Sequence, residues 1–253
     1  MEIFNAIILG IIQGITEWLP ISSSGHLAIY QTLTGVGSDI FFDVMLHVAS
    51  LIVLVLFFWR EIVKIAGSLF VEKYFRYRPY LLFLIVGSVP VALVGYFFHD
   101  LITSFFSSLI AIGIFLLLNG LILYFLARER GKKKMGMIES FSIGIAQAAS
   151  ILPGISRSGS TISAALRNGI EKEEAFRFSF LLAIPAILGA FVVEYEPGGL
   201  NAALVVGMVV TVIVGIITLR LLRNIVLRNR LSIFCYYCWL VGILAIVVGM
   251  INR

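Results

Sequence analysis

The chain has 253 residues, 60% of them hydrophobic and only 13% charged, with a formal net charge of +5. A soluble domain carries about twice that share of charge, so the composition excludes a water-soluble globular enzyme and makes membrane spans the unit to count. The positive balance is no nucleic-acid signature, because the basic residues are parcelled out by loop; no nucleic-acid partner is expected.

A bilayer-crossing helix takes about 20 apolar residues. The first apolar run, 3–19, starts behind Glu2 with no basic stretch before it, so no cleavable signal is expected. It ends at Leu-Pro and runs into LPISSSGHL (19–27). Apolar stretches at 42–59, 80–98 and 105–127 follow. A second short run, 140–152, again ends at Leu-Pro and leads into PGISRSGST (153–161). Stretches at 178–193, 201–219 and 231–251 complete the chain. The expected fold is all-α and integral to the membrane, one membrane domain over 1–253. It has six transmembrane helices and two re-entrant helix-loop-helix elements that enter, break and return.

The loops 60–78, 128–139 and 220–230 hold most of the Lys and Arg, whereas the turns 99–104 and 194–200 hold none. Cytoplasmic loops carry the basic excess. The three basic loops are therefore expected inside, the two turns outside, and both termini outside.

A shift of 134 residues lays GIIQGITEWLPISSSG (10–25) over GIAQAASILPGISRSG (144–159). Seven of the sixteen positions are identical, where chance gives about one. Gln13 pairs with Gln147, Ser22 with Ser156, Ser24 with Ser158 and Gly25 with Gly159. Three spans follow each copy, and three is odd, so the second copy must cross in the opposite sense. The halves 1–127 and 138–253 are read as an inverted-topology repeat, an arrangement that puts a site where broken helices meet near the midplane.

Irregular backbone survives at membrane depth only when buried in protein or lining a wet cavity. Pro20 and Pro153 mark the breaks. The serines behind them read as N-caps of new helices, and free amides at a helix start suit an anion such as phosphate. Ser and Gly also serve close helix packing, so the serines alone decide nothing. Glu17, His26 and Arg157 do, because ionisable groups at membrane depth are costly and usually functional. In the alignment Glu17 faces Ile151, Ser23 faces Arg157 and His26 faces Ser160. The scaffold repeats and the reactive groups do not.

Blander readings cover the rest. His47, alone on an apolar span, reads as a packing group, and Asp43 as a cap or a water-facing residue. Asn119 reads as an interhelical donor. Cys235 and Cys238 in CYYC read as small apolar residues. The run EKEEAFR (171–177) reads as a solvated helix start.

The two bends together carry a resemblance. QGITEWLPISSSGH (13–26) and PGISRSGST (153–161) resemble the paired motifs of the undecaprenyl-diphosphate phosphatase family of bacitracin-resistance type. FDVMLHVAS (42–50) and FSFLLAIPAILGA (178–190) extend the likeness along the chain. Gln13 departs from the E-x-x-x-E pattern, in which many members carry Glu. The resemblance implies an integral membrane enzyme that takes the terminal phosphate from undecaprenyl diphosphate and so recycles a lipid carrier for cell-wall glycans. It implies a divalent metal, Mg²⁺ or Ca²⁺, and a site open to the external face of the cell membrane. It marks Glu17, Ser22, Ser23 and His26 in the first motif, and Ser156, Arg157, Ser158 and Thr161 in the second, with Gly154 shaping the bend. Expected roles are catalysis for Glu17, His26, Ser23 and Arg157, and phosphate binding for Ser22, Ser156, Arg157, Ser158, Thr161 and Gly154. Gln13 and Gln147 support, and Glu17 is the candidate metal ligand. Attack by Ser23, by His26 or by water all stay open, as do monomer and homodimer. The rival reading is a transporter or flippase of an anionic lipid or small anion on the same scaffold.

Overall fold

A computed structural model describes residues 2–37, 40–127, 131, 133–194, 199 and 201–251. Most of the expected turn 194–200 and part of the basic loop 128–139 lie outside the described residues.

Twelve α-helices make up the described fold, which contains no strand. In chain order they are α1 (Ile3–Thr16), α2 (Ser23–Thr34), α3 (Ile40–Phe57), α4 (Trp59–Gly67), α5 (Arg78–Phe97) and α6 (His99–Phe106). Then come α7 (Leu109–Leu126), α8 (Met137–Ala149), α9 (Arg157–Arg167), α10 (Lys172–Glu194), α11 (Ala202–Leu227) and α12 (Phe234–Ile251). Five helices are long and apolar enough to cross a membrane, and a sixth span is supplied if the bent pair α3–α4 counts as one. The protein is therefore a multi-pass, all-α membrane protein.

Several boundaries differ from the sequence reading. The first span stops at Phe57, and α4 leaves it at 79°. Its basic residues make α4 amphipathic, which suits a helix lying along an interface rather than crossing it. The residues 99–104, expected as a turn, instead form most of α6. The run EKEEAFR, read as a helix start, does open α10, from Lys172 onward.

The two broken elements are helical hairpins. At 14 residues α1 is about 21 Å long, and α8 is one residue shorter. Neither covers the ~30 Å hydrocarbon core. The expected runs 3–19 and 140–152 end earlier than their prolines, at Thr16 and Ala149. Each second helix folds back along the first. Tyr30 Oη on α2 donates to Asn5 Oδ1 on α1 at 3.0 Å, and Asn168 Nδ2 at the end of α9 donates to Ser142 Oγ on α8 at 3.1 Å.

Each hairpin packs on a span from the far part of the chain: α1 lies along α11, and α8 along α5, while α7 lies along α12. Small residues permit these close approaches. A Cβ on Gly144 would fall 2.3 Å from the Gly87 carbonyl oxygen, and one on Gly113 would fall 2.6 Å from that of Gly242. The core beneath the hairpins is aromatic: Trp18, Phe58, Phe176 and Phe180 form one buried, mutually packed group.

Candidate active site

The breaks after α1 and α8 meet tip to tip. Serine hydroxyls cap the new helices as expected: Ser22 Oγ accepts from the Gly25 amide at 3.3 Å, and Ser156 Oγ from the Gly159 amide at 3.2 Å. The same hydroxyls and their neighbours then tie one break to the other. Ser22 Oγ accepts from the Gly154 amide at 3.0 Å, and Ser158 Oγ donates to the Trp18 carbonyl at 2.8 Å. Asn119, from α7, spans both: its Nδ2 donates to the Pro20 carbonyl at 2.9 Å and its Oδ1 accepts from the Ser156 amide at 3.0 Å. Each bond satisfies a backbone group that would otherwise be buried unpaired, at a cost of about 1–3 kcal/mol. The geometry is demanding. Ser22 holds φ +70°, rare for a residue with a side chain. Gly154 sits at φ +110°, and a Cβ there would lie 2.6 Å from the Ile112 carbonyl oxygen.

At this junction lies one charged cluster. Glu17, just past the end of α1, is buried, and its Oε1 accepts from Arg157 Nη2 at 2.6 Å. Its Oε2 accepts from Ser23 Oγ at 2.7 Å and from Gln13 Nε2 at 3.2 Å. His47 Nε2 stands 3.7 Å from the same Oε2. Arg157 opens α9 and lies over the Phe180 ring at 5.5 Å, and its Nη1 is buried with no partner. Ser23 opens α2 and is partly exposed. The positive end of α2 therefore faces the carboxylate side of the cluster.

Of the residues expected in the site, Glu17, Ser23, Arg157 and Gln13 come together. The hydroxyls of Ser22, Ser156 and Ser158 make the capping bonds and the seam between the breaks. Thr161 turns away, donating to the Arg157 carbonyl at 2.8 Å and bonding Ser179 on α10. Gln147 is buried with neither amide atom partnered. Its alignment mate Gln13 meets Glu17 and Ser50, whereas the position aligned with Glu17 is Ile151. His26 stands apart from Glu17. Its Nδ1 lies 2.7 Å from the Ser22 carbonyl and its Nε2 2.8 Å from Tyr237 Oη.

His47 is the correction to the bland reading of that residue. Its Nδ1 is 2.9 Å from the Asp43 carbonyl, which fixes the proton there and turns Nε2 to Glu17. Asp43 accepts both bonds of the Gln31 amide, at 3.0 and 2.9 Å, joining α2 to α3. A signal was present: Asp43, His47 and Ser50 recur at helical spacing on one face of an apolar span.

The cluster contains a hydroxyl, a carboxylate in contact with it, and a guanidinium with a free nitrogen. It is thus equipped for transfer of a phosphoryl or similar anionic group. Among the described residues no set of three or more His, Cys, Asp and Glu converges. Mg²⁺ and Ca²⁺, however, take oxygen ligands, and Mg²⁺ commonly uses one or two carboxylates with substrate phosphates and water. Glu17 fits that pattern.

The fold and the cluster define a class: a multi-pass membrane protein with an anion-handling site at the meeting point of two broken helices. Comparison narrows the class. A family model described as "Bacitracin resistance protein BacA" matches residues 6–244. A protein of Halothermothrix orenii named undecaprenyl-diphosphatase is 39% identical, covering 98% of this chain and 99% of that one. Proteins of the same name from Methanococcus vannielii (41% identical, covering 95% and 98%) and Bacteroides fragilis (38%, covering 100% of both) match as fully. The chain belongs to the BacA bacitracin resistance family.

Proposed function

We propose that the protein is an undecaprenyl-diphosphatase, hydrolysing a polyprenyl diphosphate to the monophosphate and inorganic phosphate. The observation that carries the mechanism is the 2.7 Å bond from Ser23 Oγ to Glu17 Oε2. The relatives' name supplies the substrate. Nothing in the cluster favours the transporter alternative.

The chemistry follows from the contacts. The terminal phosphate, approaching Ser23, meets Arg157, whose Nη1 is free to take a phosphoryl oxygen. With Nη1 on the phosphate and Nη2 still on Glu17 Oε1, the other carboxylate oxygen, Oε2, stands ready to accept the Ser23 proton. Ser23 Oγ then forms the new P–O bond. The bridging P–O bond breaks, and the prenyl monophosphate leaves. Water attacks the phosphoserine, the proton returns to Ser23 Oγ, and phosphate departs. Arg157 and the first amides of α2 stabilise the charge on the phosphoryl oxygens, the main task in such transfers. A divalent cation held by Glu17 together with the diphosphate would neutralise phosphate charge. Purified protein with Mg²⁺ or Ca²⁺ should release phosphate from a polyprenyl diphosphate, and a chelator should suppress the release. Protein that binds the lipid with added cation and yields no phosphate overturns the reading.

The chain is read as two inverted halves in the cell membrane, with both termini and the opening of the site external. The support is the Lys/Arg asymmetry of the loops. Single cysteines placed at Lys134 and Asp100, in a background lacking Cys235 and Cys238, should label from opposite sides of the membrane. Labelling of both from one side is incompatible with this orientation.

A further inference from the structure

His26 sits in the first turn of α2, apart from Glu17, and neither of its ring nitrogens is free. The 2.7 Å contact from Nδ1 to the Ser22 carbonyl requires a proton on Nδ1, because a carbonyl can only accept. The neutral ring then carries its lone pair on Nε2. At 2.8 Å from Nε2 lies Tyr237 Oη, which must be the donor. The two rings are nearly parallel, 13° apart with centroids at 5.6 Å. Tyr237 comes from α12, 211 residues away in sequence.

Two further features show what this contact closes. The helices α2 and α12 both lean on α7: Ala28 and Ile29 from one, and Val241 and Val248 from the other, pack on Leu109, Ile112 and Leu116. Their own backbones barely approach each other. The seam between them is bridged by the His26–Tyr237 pair. Tyr237 is also 41% exposed, on a face it shares with the exposed Leu240 and Leu244 at helical spacing. In a membrane protein that face meets lipid tails. Its neighbour Cys238 points the other way, with Sγ 3.6 Å from the Pro20 carbonyl and 3.2 Å from Asn119 Nδ2. That pins this turn of α12 to the first break and fixes where the phenol stands.

We propose that Tyr237 is a positioning residue, a hydroxyl latch on His26 across the seam between α2 and α12. Its hydroxyl occupies the one nitrogen that could exchange a proton with a ligand, and its ring separates the imidazole from the bilayer. A diphosphate carried on a prenyl chain reaches the site from the bilayer, so the head group displaces the phenol as it enters, and only then is Nε2 exposed. The entering lipid rests on the phosphatase reading. The latch itself rests on the contacts.

The test is made on the full-length protein in detergent without substrate. Diethyl pyrocarbonate acylates an imidazole through its unprotonated nitrogen, and peptide mapping separates the three histidines, His26, His47 and His99. In Tyr237→Phe, His26 should be modified about five-fold faster than in the wild type, the factor that an ordinary hydrogen bond is worth. His47 and His99 should keep their rates. Tyr237→Leu, which also removes the ring, should give at least the same increase, and melting curves identify either variant that fails to fold. Equal His26 rates in the wild type and in a folded variant overturn the latch, whatever the phosphatase assay gives. Faster His26 labelling in a protein that releases no phosphate would retire the phosphatase reading and leave the latch standing.

Discussion

Replacing Ser23 by alanine is expected to lower phosphate release by about a thousandfold or more, with the protein still folded. Ser23 is partly exposed and makes one close side-chain contact, the 2.7 Å bond to Glu17. Losing it costs stability about 1 kcal/mol, little beside the loss of the atom that attacks. Removing a nucleophile removes the whole covalent route, as knocking out one member of a catalytic unit does elsewhere. Glu17→Gln should fall nearly as far, since the amide cannot take the Ser23 proton. The double variant should be no slower than Ser23→Ala alone, because residues that act as a unit are not additive. If water attacks directly, Ser23 merely binds phosphate and its loss costs about tenfold, the worth of one good hydrogen bond. Acid quenching of the wild type during turnover of a substrate labelled on its terminal phosphate should leave label on the peptide containing Ser23. A drop within tenfold together with an unlabelled peptide would establish the water route.

The residues of this cluster were legible to different degrees, for physical reasons. Glu17 and Arg157 could be found in the sequence because a charge at membrane depth has few structural uses. Hairpin positions were legible because proline cannot continue a helix and serine caps one. Which hydroxyl would be free was not legible. Ser22, Ser23 and Ser24 are adjacent, and turning at a break with φ +70° decides that Ser22 caps and joins the seam while Ser23 faces the carboxylate. The partner of the carboxylate was also hidden. Sequence nearness suggests His26, nine residues from Glu17, but the hairpin carries that ring to α12, while α3 brings in His47 from thirty residues away. Contacts between distant helices follow from which small residues let backbones cross. Gly10 against Gly207 and Gly144 against Gly87 set those crossings, and a single sequence does not say which glycine meets which. A helix end went astray where a short break redirected the chain, as at Phe58.

Arg157→Lys is expected to lose about a hundredfold to a thousandfold in kcat/KM while folding normally, because two guanidinium nitrogens have separate tasks. In the native site Nη2 holds Glu17 at 2.6 Å and Nη1 is buried without a partner. One planar group can therefore keep the carboxylate with one nitrogen and take a phosphoryl oxygen with the other. Lysine keeps the charge on a single point. It can stay with Glu17 or turn to the phosphate, and each choice forfeits one contact of the transition state. Losing a single preorganised donor to developing charge costs about 10²–10³ in rate. Lysine is the informative replacement because alanine would leave the Glu17 carboxylate buried and unpaired, a penalty of about 3–5 kcal/mol that confuses stability with catalysis. Arg157→Ala combined with Glu17→Gln separates the two. That pair should recover most of the melting temperature lost by Arg157→Ala alone and none of its activity. Turnover by Arg157→Lys within a few-fold of the wild type would show that Arg157 contributes only positive charge, and that the unpartnered Nη1 does not hold the phosphate.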